Sequence, residues 1–282
     1  MPGLLAVHAH PDDETLWTGA LLATWARTGG VELVTCTRGE RGEVIGEALA
    51  HLEGDGPALA VHREGELAAA LAALGVARRA FLDELADDGA PRAAARLEDS
   101  GMVWVSPGVA GPAPDAPASA FSLADLEATA AVLARRLAAT APDVVVTYGP
   151  DGGYGHPDHV RAHQMTMRAV ARHVAAGGPA PVVLWAVPAH RVAEVRASGG
   201  PRVEVPVAPV VDQVAAAMRA HATQVQAVTE GAGTIDTGTI SFALSNDVPL
   251  QVGPVEVFEP APGPVRALAW PAGVDAPGWP VP

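Results

Sequence analysis

Short apolar runs alternate with longer stretches rich in Ala, Leu and Arg along most of the chain. Leu4–His8, Val31–Cys36, Ala80–Leu82, Val144–Tyr148 and Val182–Val187 are dense in β-branched residues or bounded by turn formers, and predict buried strands. Thr15–Arg27, Arg63–Leu74, Leu123–Ala139 and Val160–Ala175 predict helices, the third with Ser122 as its cap and Asp125 in its first turn. This alternation predicts an α/β fold, with a mostly parallel, Rossmann-like sheet covered by helices on both faces. Arg202–Val211 and Thr239–Phe258 carry β-like patterns and predict a smaller, irregular β-containing C-terminal portion. The expected division is an α/β core over 1–190, a smaller α+β portion over 191–258 that completes a substrate site, and a Pro-rich tail over 259–282. Ser106–Ala120 lacks periodicity and reads as a surface excursion or flexible flap. The tail from Pro260 to Pro282 reads as partly disordered.

Composition narrows the function. With 282 residues and 49% hydrophobic content, a large core is affordable and wholesale disorder is excluded. All 18 cationic residues are Arg, so chemistry that requires a lysine is excluded. The net charge of −14, with no basic stripe, argues against a nucleic-acid partner. No run approaches the length of a membrane span, the first residues carry no signal-peptide pattern, and the single Cys36 sits in an apolar run. These features predict a soluble, cytoplasmic protein.

Two constellations carry the candidate chemistry, each directly after a predicted strand, where the ligands of an open α/β sheet gather. The first is His8-Ala9-His10-Pro11-Asp12-Asp13-Glu14. The acids suit a helix N-terminus, but capping does not explain the histidines. The second is Gly149-Pro150-Asp151-Gly152-Gly153-Tyr154-Gly155-His156-Pro157-Asp158-His159, in which Pro157 fits the first position of a helix. Two His and one carboxylate can hold a catalytic zinc with an open position. Spacing leaves alternatives open: an H-x-H pair of His8 and His10, or an i,i+4 pair of His159 and His163, although packing is the simpler role for His163. His51, His62, His173, His190 and His221 are isolated and read as ordinary structural or surface histidines.

Ala9–Glu14 (A-H-P-D-D-E) together with Gly155–His159 (G-H-P-D-H) resembles the LmbE/PIG-L family of zinc-dependent sugar de-N-acetylases. The similarity continues through Thr35–Gly46, Asp99–Met102 and Phe242–Asn246, and so covers most of the chain. It implies one Zn2+ per chain, with Fe2+ as the other candidate, held by His10, Asp13 and His159. It also implies Asp12 as general base, His156 as oxyanion stabiliser and acid, Asp158 as the group orienting His156, and Tyr154 polarising the acetyl carbonyl. Glu43, Arg63, Asp99 and Asn246 are the implied contacts to substrate hydroxyls.

Within the family, the chain is most similar to the branch that deacetylates N-acetylglucosaminyl-inositol in mycothiol biosynthesis. The sister branch, which cleaves mycothiol S-conjugates, carries a lysine soon after the first motif and an earlier glycine. Here there is no Lys, and Thr15–Thr18 separate Glu14 from Gly19. Trp17 departs from the family pattern, in a stretch usually built of small polar residues. A non-catalytic metal- or carbohydrate-binding protein is the rival of another class, and the presence of Asp12 and His156 speaks against it. A dinucleotide enzyme is disfavoured because no G-x-G-x-x-G follows the first strand.

Overall fold

A computed structural model describes residues 3–86, 96–230, 239–263 and 265–281. In chain order the regular elements are β1 (Leu4–His8), α1 (Asp13–Ala26), β2 (Val31–Thr35), α2 (Gly56–Leu74), β3 (Arg78–Phe81), β4 (Met102–Ser106), β5 (Val109–Pro112), α3 (Leu126–Thr140), β6 (Val144–Tyr148), α4 (Pro157–Ala175), β7 (Val182–Ala186), α5 (Val192–Ala197), β8 (Val203–Pro206), α6 (Val211–Ala220), β9 (Gln226–Glu230), β10 (Ile240–Ala243), β11 (Pro249–Val252) and β12 (Val255–Pro260). Short 3-10 turns link several of them.

The main sheet has seven strands in the order β3-β2-β1-β6-β7-β12-β8. The first five run parallel, while β12 pairs antiparallel with both β7 and β8. A fully buried strand reads as a continuous apolar run because its alternate side chains enter different cores. In β1, Leu4 and Ala6 join the core shared with α1, α2 and α6, whereas Leu5 and Val7 join the one shared with α3 and α4. A separate antiparallel sheet, β11-β10-β9, and the β4–β5 hairpin complete the described strands. The mostly parallel sheet and the smaller C-terminal sheet are those expected from the sequence. Strands from either side of residue 190 share the main sheet.

Local chemistry moved several boundaries. Helix α2 starts at Gly56, ahead of the expected Arg63, because the Asp55 carboxylate accepts the Ala58 N–H (3.1 Å) and a proline stands in the first turn. Helix α3 is capped by Asp125, which accepts the Ala128 N–H at 2.9 Å; Ser122 lies in a preceding 3-10 turn. The stretch 106–120 contains a strand, since β5 pairs with β4 through Met102↔Pro112. The end of the chain packs: Leu268 and Val274 are buried, Trp270 and Trp279 lie against the core, and Asp275 bridges to Glu204. No helix among the described residues is long and apolar enough to cross a membrane.

Helix α1 is interrupted at Thr18, whose φ of −142° and ψ of 15° are not helical. The Ala20 and Leu21 N–H groups beyond the break donate to the Glu256 carboxylate of β12, at 2.8 and 2.9 Å. The last strand therefore caps the second half of the first helix. Glu256→Ala is expected to destabilise the protein by about 0.5–2 kcal/mol, the usual loss for a helix cap. Urea unfolding checks this, and an unchanged midpoint would remove the cap from the account.

Candidate active site

Strand β1 has β2 on one side and β6 on the other, so the connections lead away in opposite directions and open a crevice at the carboxyl ends. The loop from β1 to α1 brings His10, Asp12 and Asp13 there. The loop from β6 to α4 brings Tyr154 and His156, and the first turn of α4 brings His159. Two glycines permit that second loop. Gly152 has φ +65° and a Cβ there would stand 2.7 Å from His159 Cβ; Gly153 has φ +80° and its Cβ would stand 2.2 Å from the Trp17 ring.

His10, Asp12, Asp13, Glu43, Arg63, Asp99, Tyr154, His156, His159 and Asn246 all line one cavity of about 910 Å3. Asp158 lies behind its wall, fully buried. The cavity also has apolar walls from Trp17, Trp104, Phe242, Leu244 and Leu250. Tyr154 stands between two indoles, with ring centroids 6.5 Å from Trp17 and 5.9 Å from Trp104. The β4–β5 hairpin that carries Trp104 is tied to the catalytic loop by the Ala110 N–H, which donates to Tyr154 O at 2.8 Å.

At the centre, Asp13 Oδ2 lies 3.2 Å from His10 Nδ1 and Asp13 Oδ1 lies 3.2 Å from His159 Nε2. The remaining nitrogen of each ring is committed elsewhere. His10 Nε2 is 3.1 Å from Asp158 Oδ2, and His159 Nδ1 is 3.1 Å from the Gly152 carbonyl. Both of those partners accept hydrogen bonds, so His10 Nδ1 and His159 Nε2 are left to offer lone pairs beside Asp13. Neighbouring ligands of a tetrahedral ion with bonds of about 2.0–2.2 Å stand about 3.4 Å apart, near the 3.2 Å between each ring nitrogen and its own Asp13 oxygen, the two contacts using different oxygens. The residues present fit a divalent ion of the zinc or ferrous type. Among the described residues, the groups whose ligand atoms all lie within 4.8 Å of one another are His10, His156 and His159, and His10, Asp99 and Asp158, so His10 is common to both.

The electrostatics agree with a centre built for positive charge. Burial opposes a proton on His10, but Asp99, Asp13 and Asp158 outweigh it and hold its pKa well above the ordinary value. Burial likewise opposes ionisation of Asp13, and His159 and His10 reverse it, holding that carboxyl well below the usual range. Asp12 is pushed up to about 6 by burial, only partly offset by Arg63. Burial, then His10 and His159, keeps His156 neutral. Its Nδ1 accepts the Asp158 N–H at 3.2 Å, so the ring proton is on Nε2. Burial raises the Tyr154 phenol, which stays a hydrogen-bond donor.

Several expectations are refined by these contacts. The Asp158 carboxylate faces His10 and Ser100, and reaches His156 only through its own backbone N–H. Arg63 lies 3.4 Å from Asp12 and donates to the Pro11 and Gly39 carbonyls, bracing the loop that holds the acids. His8 makes no pair with His10: its Nε2 meets Thr18 Oγ1 at 2.9 Å, and burial lowers its pKa to about 4. His163 Nδ1 donates to the Tyr148 carbonyl at 2.9 Å, the packing role expected of it. Ser100 and His221 were missed. His221, read as ordinary, is fully buried and meets Glu14 Oε1 at 2.6 Å; nothing in its local sequence marks it.

Fold and site together define an α/β enzyme class with a His/Asp centre able to hold a divalent ion at a sheet switch point. The chain belongs to the PIG-L, or GlcNAc-PI de-N-acetylase, family, which it matches over residues 5–170. It is 42% identical over 289 residues to a 1D-myo-inositol 2-acetamido-2-deoxy-alpha-D-glucopyranoside deacetylase of Kineococcus radiotolerans, covering 90% of this chain and 76% of that protein. Among solved structures it is similar to the A40926 pseudoaglycone deacetylase Dbv21, with TM-score 0.53, 18% identity, and 92% and 96% of the two chains covered. It is equally similar to GalB, a 4-carboxy-2-hydroxymuconate hydratase from Pseudomonas putida KT2440, with TM-score 0.53, 22% identity and 79% of each chain covered. At those identities the structures speak for the fold alone, and the fold hosts different chemistries.

The geometry separates the two histidines of the first motif. His10→Ala should lose bound divalent metal, while His8→Ala should keep it and lose only stability. Metal analysis of both purified variants decides this, and metal loss in His8→Ala would restore the H-x-H pair.

Proposed function

We propose that this protein hydrolyses the acetamide of an N-acetylglucosaminyl-inositol, releasing acetate and the free amino sugar, with one Zn2+ or Fe2+ per chain. The observation that carries the reading is the Asp13 carboxylate set between two imidazoles whose other nitrogens are already engaged. The relative from Kineococcus, alike over most of both chains, supplies the substrate class.

His10, Asp13 and His159 would hold the ion, and when bound it would supply Lewis acidity and lower the pKa of a water in the cavity. The residues around it divide the remaining work. Asp12 takes a proton from the attacking water on its carboxylate. The Nε2–H of His156 and the phenol of Tyr154 donate to the acetyl oxygen as it gains negative charge. The C–O bond forms, the C–N bond breaks, and the amine needs a proton. His156, the acid implied by the resemblance, stands beside the centre with its Nδ1 on the Asp158 N–H, and the proton that Asp12 has taken from the water balances the one the amine needs. Asp158, itself held by Ser100, would orient the His10 ring, and Glu43, Asp99 and Asn246, which line the cavity, would meet substrate hydroxyls. Trp17 and Trp104 line the cavity on either side of Tyr154 and would give a sugar ring apolar contact area.

Asp12→Ala should keep its metal and lose about 10²–10⁴-fold in kcat, the range for a positioned base. Near-normal turnover in the metal-replete variant would remove Asp12 from the reaction. Acetate release from N-acetylglucosaminyl-inositol, set against cleavage of a mycothiol S-conjugate by the same preparation, tests the substrate. The higher kcat/KM should belong to the acetylated sugar, and an equal or better rate on the conjugate would assign an amidase.

A further inference from the structure

Asp12 has φ 125° and ψ −34°, a backbone conformation that residues with a side chain seldom adopt. The described non-glycine residues with positive φ are Asp12, Ala141, Ala227 and Asp247, and of these only Asp12 lines the cavity. Such a conformation persists only where the surroundings over-determine it, and it is common where a catalytic side chain must be aimed.

The contacts that hold it can be traced outward. The Asp12 N–H donates to Glu14 Oε2 at 2.9 Å, a carboxylate two residues ahead folded back over the turn. The other oxygen of that carboxylate, Oε1, is gripped twice: by the Thr15 hydroxyl at 2.6 Å and by His221 Nε2 at 2.6 Å. Both Glu14 and His221 are completely shielded from solvent. His221 follows the last turn of α6. Its N–H donates to Met218 O at 3.2 Å, and its carbonyl accepts from Gln224 and Val225 at 2.9 and 2.8 Å. The ring is thus delivered by a backbone that is itself well anchored.

We propose that His221 is a positioning residue for Asp12. Through Glu14 it holds the Asp12 N–H, and so maintains the strained backbone that aims the Asp12 carboxylate into the cavity. His221 touches neither substrate nor metal ligand in this role. The inference deepens the proposed function and rests on Asp12 as the base. The plainer alternative is a buried pair that only sews α1 to α6. A pair of that kind would affect stability without caring whether residue 12 is an aspartate.

A double-mutant cycle separates the two, because residues that act through one another are not additive. His221→Gln keeps a donor for Glu14 but changes its reach. In the otherwise unchanged enzyme it should lower kcat about tenfold, with KM within about twofold and metal content still one per chain. In the Asp12→Ala background the same substitution should change the residual kcat by less than about twofold. Equal losses in both backgrounds, or no loss in the first, overturn the inference while leaving the proposed function standing. Near-normal kcat in Asp12→Ala alone overturns the base assignment and this inference with it. If His221→Gln does not fold, the same cycle is run with Thr15→Val, which removes the other donor to Glu14 Oε1, and the same non-additivity is required.

Discussion

The site depends on one carboxylate held between two imidazoles. Asp13 follows β1, His159 follows β6, and the parallel pairing of those strands, with Leu4 opposite Val144, sets their distance. Tyr148 tightens the junction: its hydroxyl accepts the Ala9 N–H at 2.9 Å and its ring stacks 4.2 Å from His159. Because the sheet is buried on both faces, a one-residue slip between β1 and β6 would send core side chains to the wrong layer. Core packing and the spacing of Asp13 and His159 are therefore fixed by the same register. A buried group of Asp13, Asp99 and Asp158 around His10 needs positive charge to be tolerable, a need that a divalent ion would meet.

Around this centre each further layer restrains the one inside it. Asp158 and Gly152 O fix the rings of His10 and His159, Arg63 braces the carbonyls of Pro11 and Gly39, and Glu14 holds the N–H of Asp12. The β4–β5 hairpin and the β9–β11 sheet build the outer walls through Trp104, Phe242 and Leu250. The same fold is found in a deacetylase and in a hydratase, so the fold by itself does not select the reaction.

Much of this was legible in the sequence, for physical reasons that differ by element. β1 and β6 were bounded to the residue because continuous apolar runs end abruptly at polar turns. The two motifs pointed to one crevice because both follow parallel strands. Strand β5 was hidden because its Val-Ala-Gly-Pro sequence lies in a Pro-, Ala- and Gly-rich stretch that masks a strand's alternation, whereas β4, Met-Val-Trp-Val-Ser, has strand-forming residues and was overlooked. The early start of α2 was hidden because Gly56 and Pro57 read as breakers unless Asp55 is recognised as the cap. His221 could not be found by spacing: its partner, Glu14, is 207 residues away and only the packing of α6 beside α1 brings them together. The resemblance implied that the Asp158 carboxylate orients His156, whereas in the fold it faces His10 and Ser100.

The most direct test of the account is the response of chelator-treated protein to added zinc or ferrous ion, read as a melting temperature in wild type and in Asp13→Asn. Binding to the folded state alone stabilises it in proportion to ion concentration over the dissociation constant. The account predicts a concentration-dependent rise in Tm for wild type that saturates at one ion per chain, and its loss in Asp13→Asn, which removes the charge between His10 and His159. An equal rise in both proteins, or none in wild type, would contradict it.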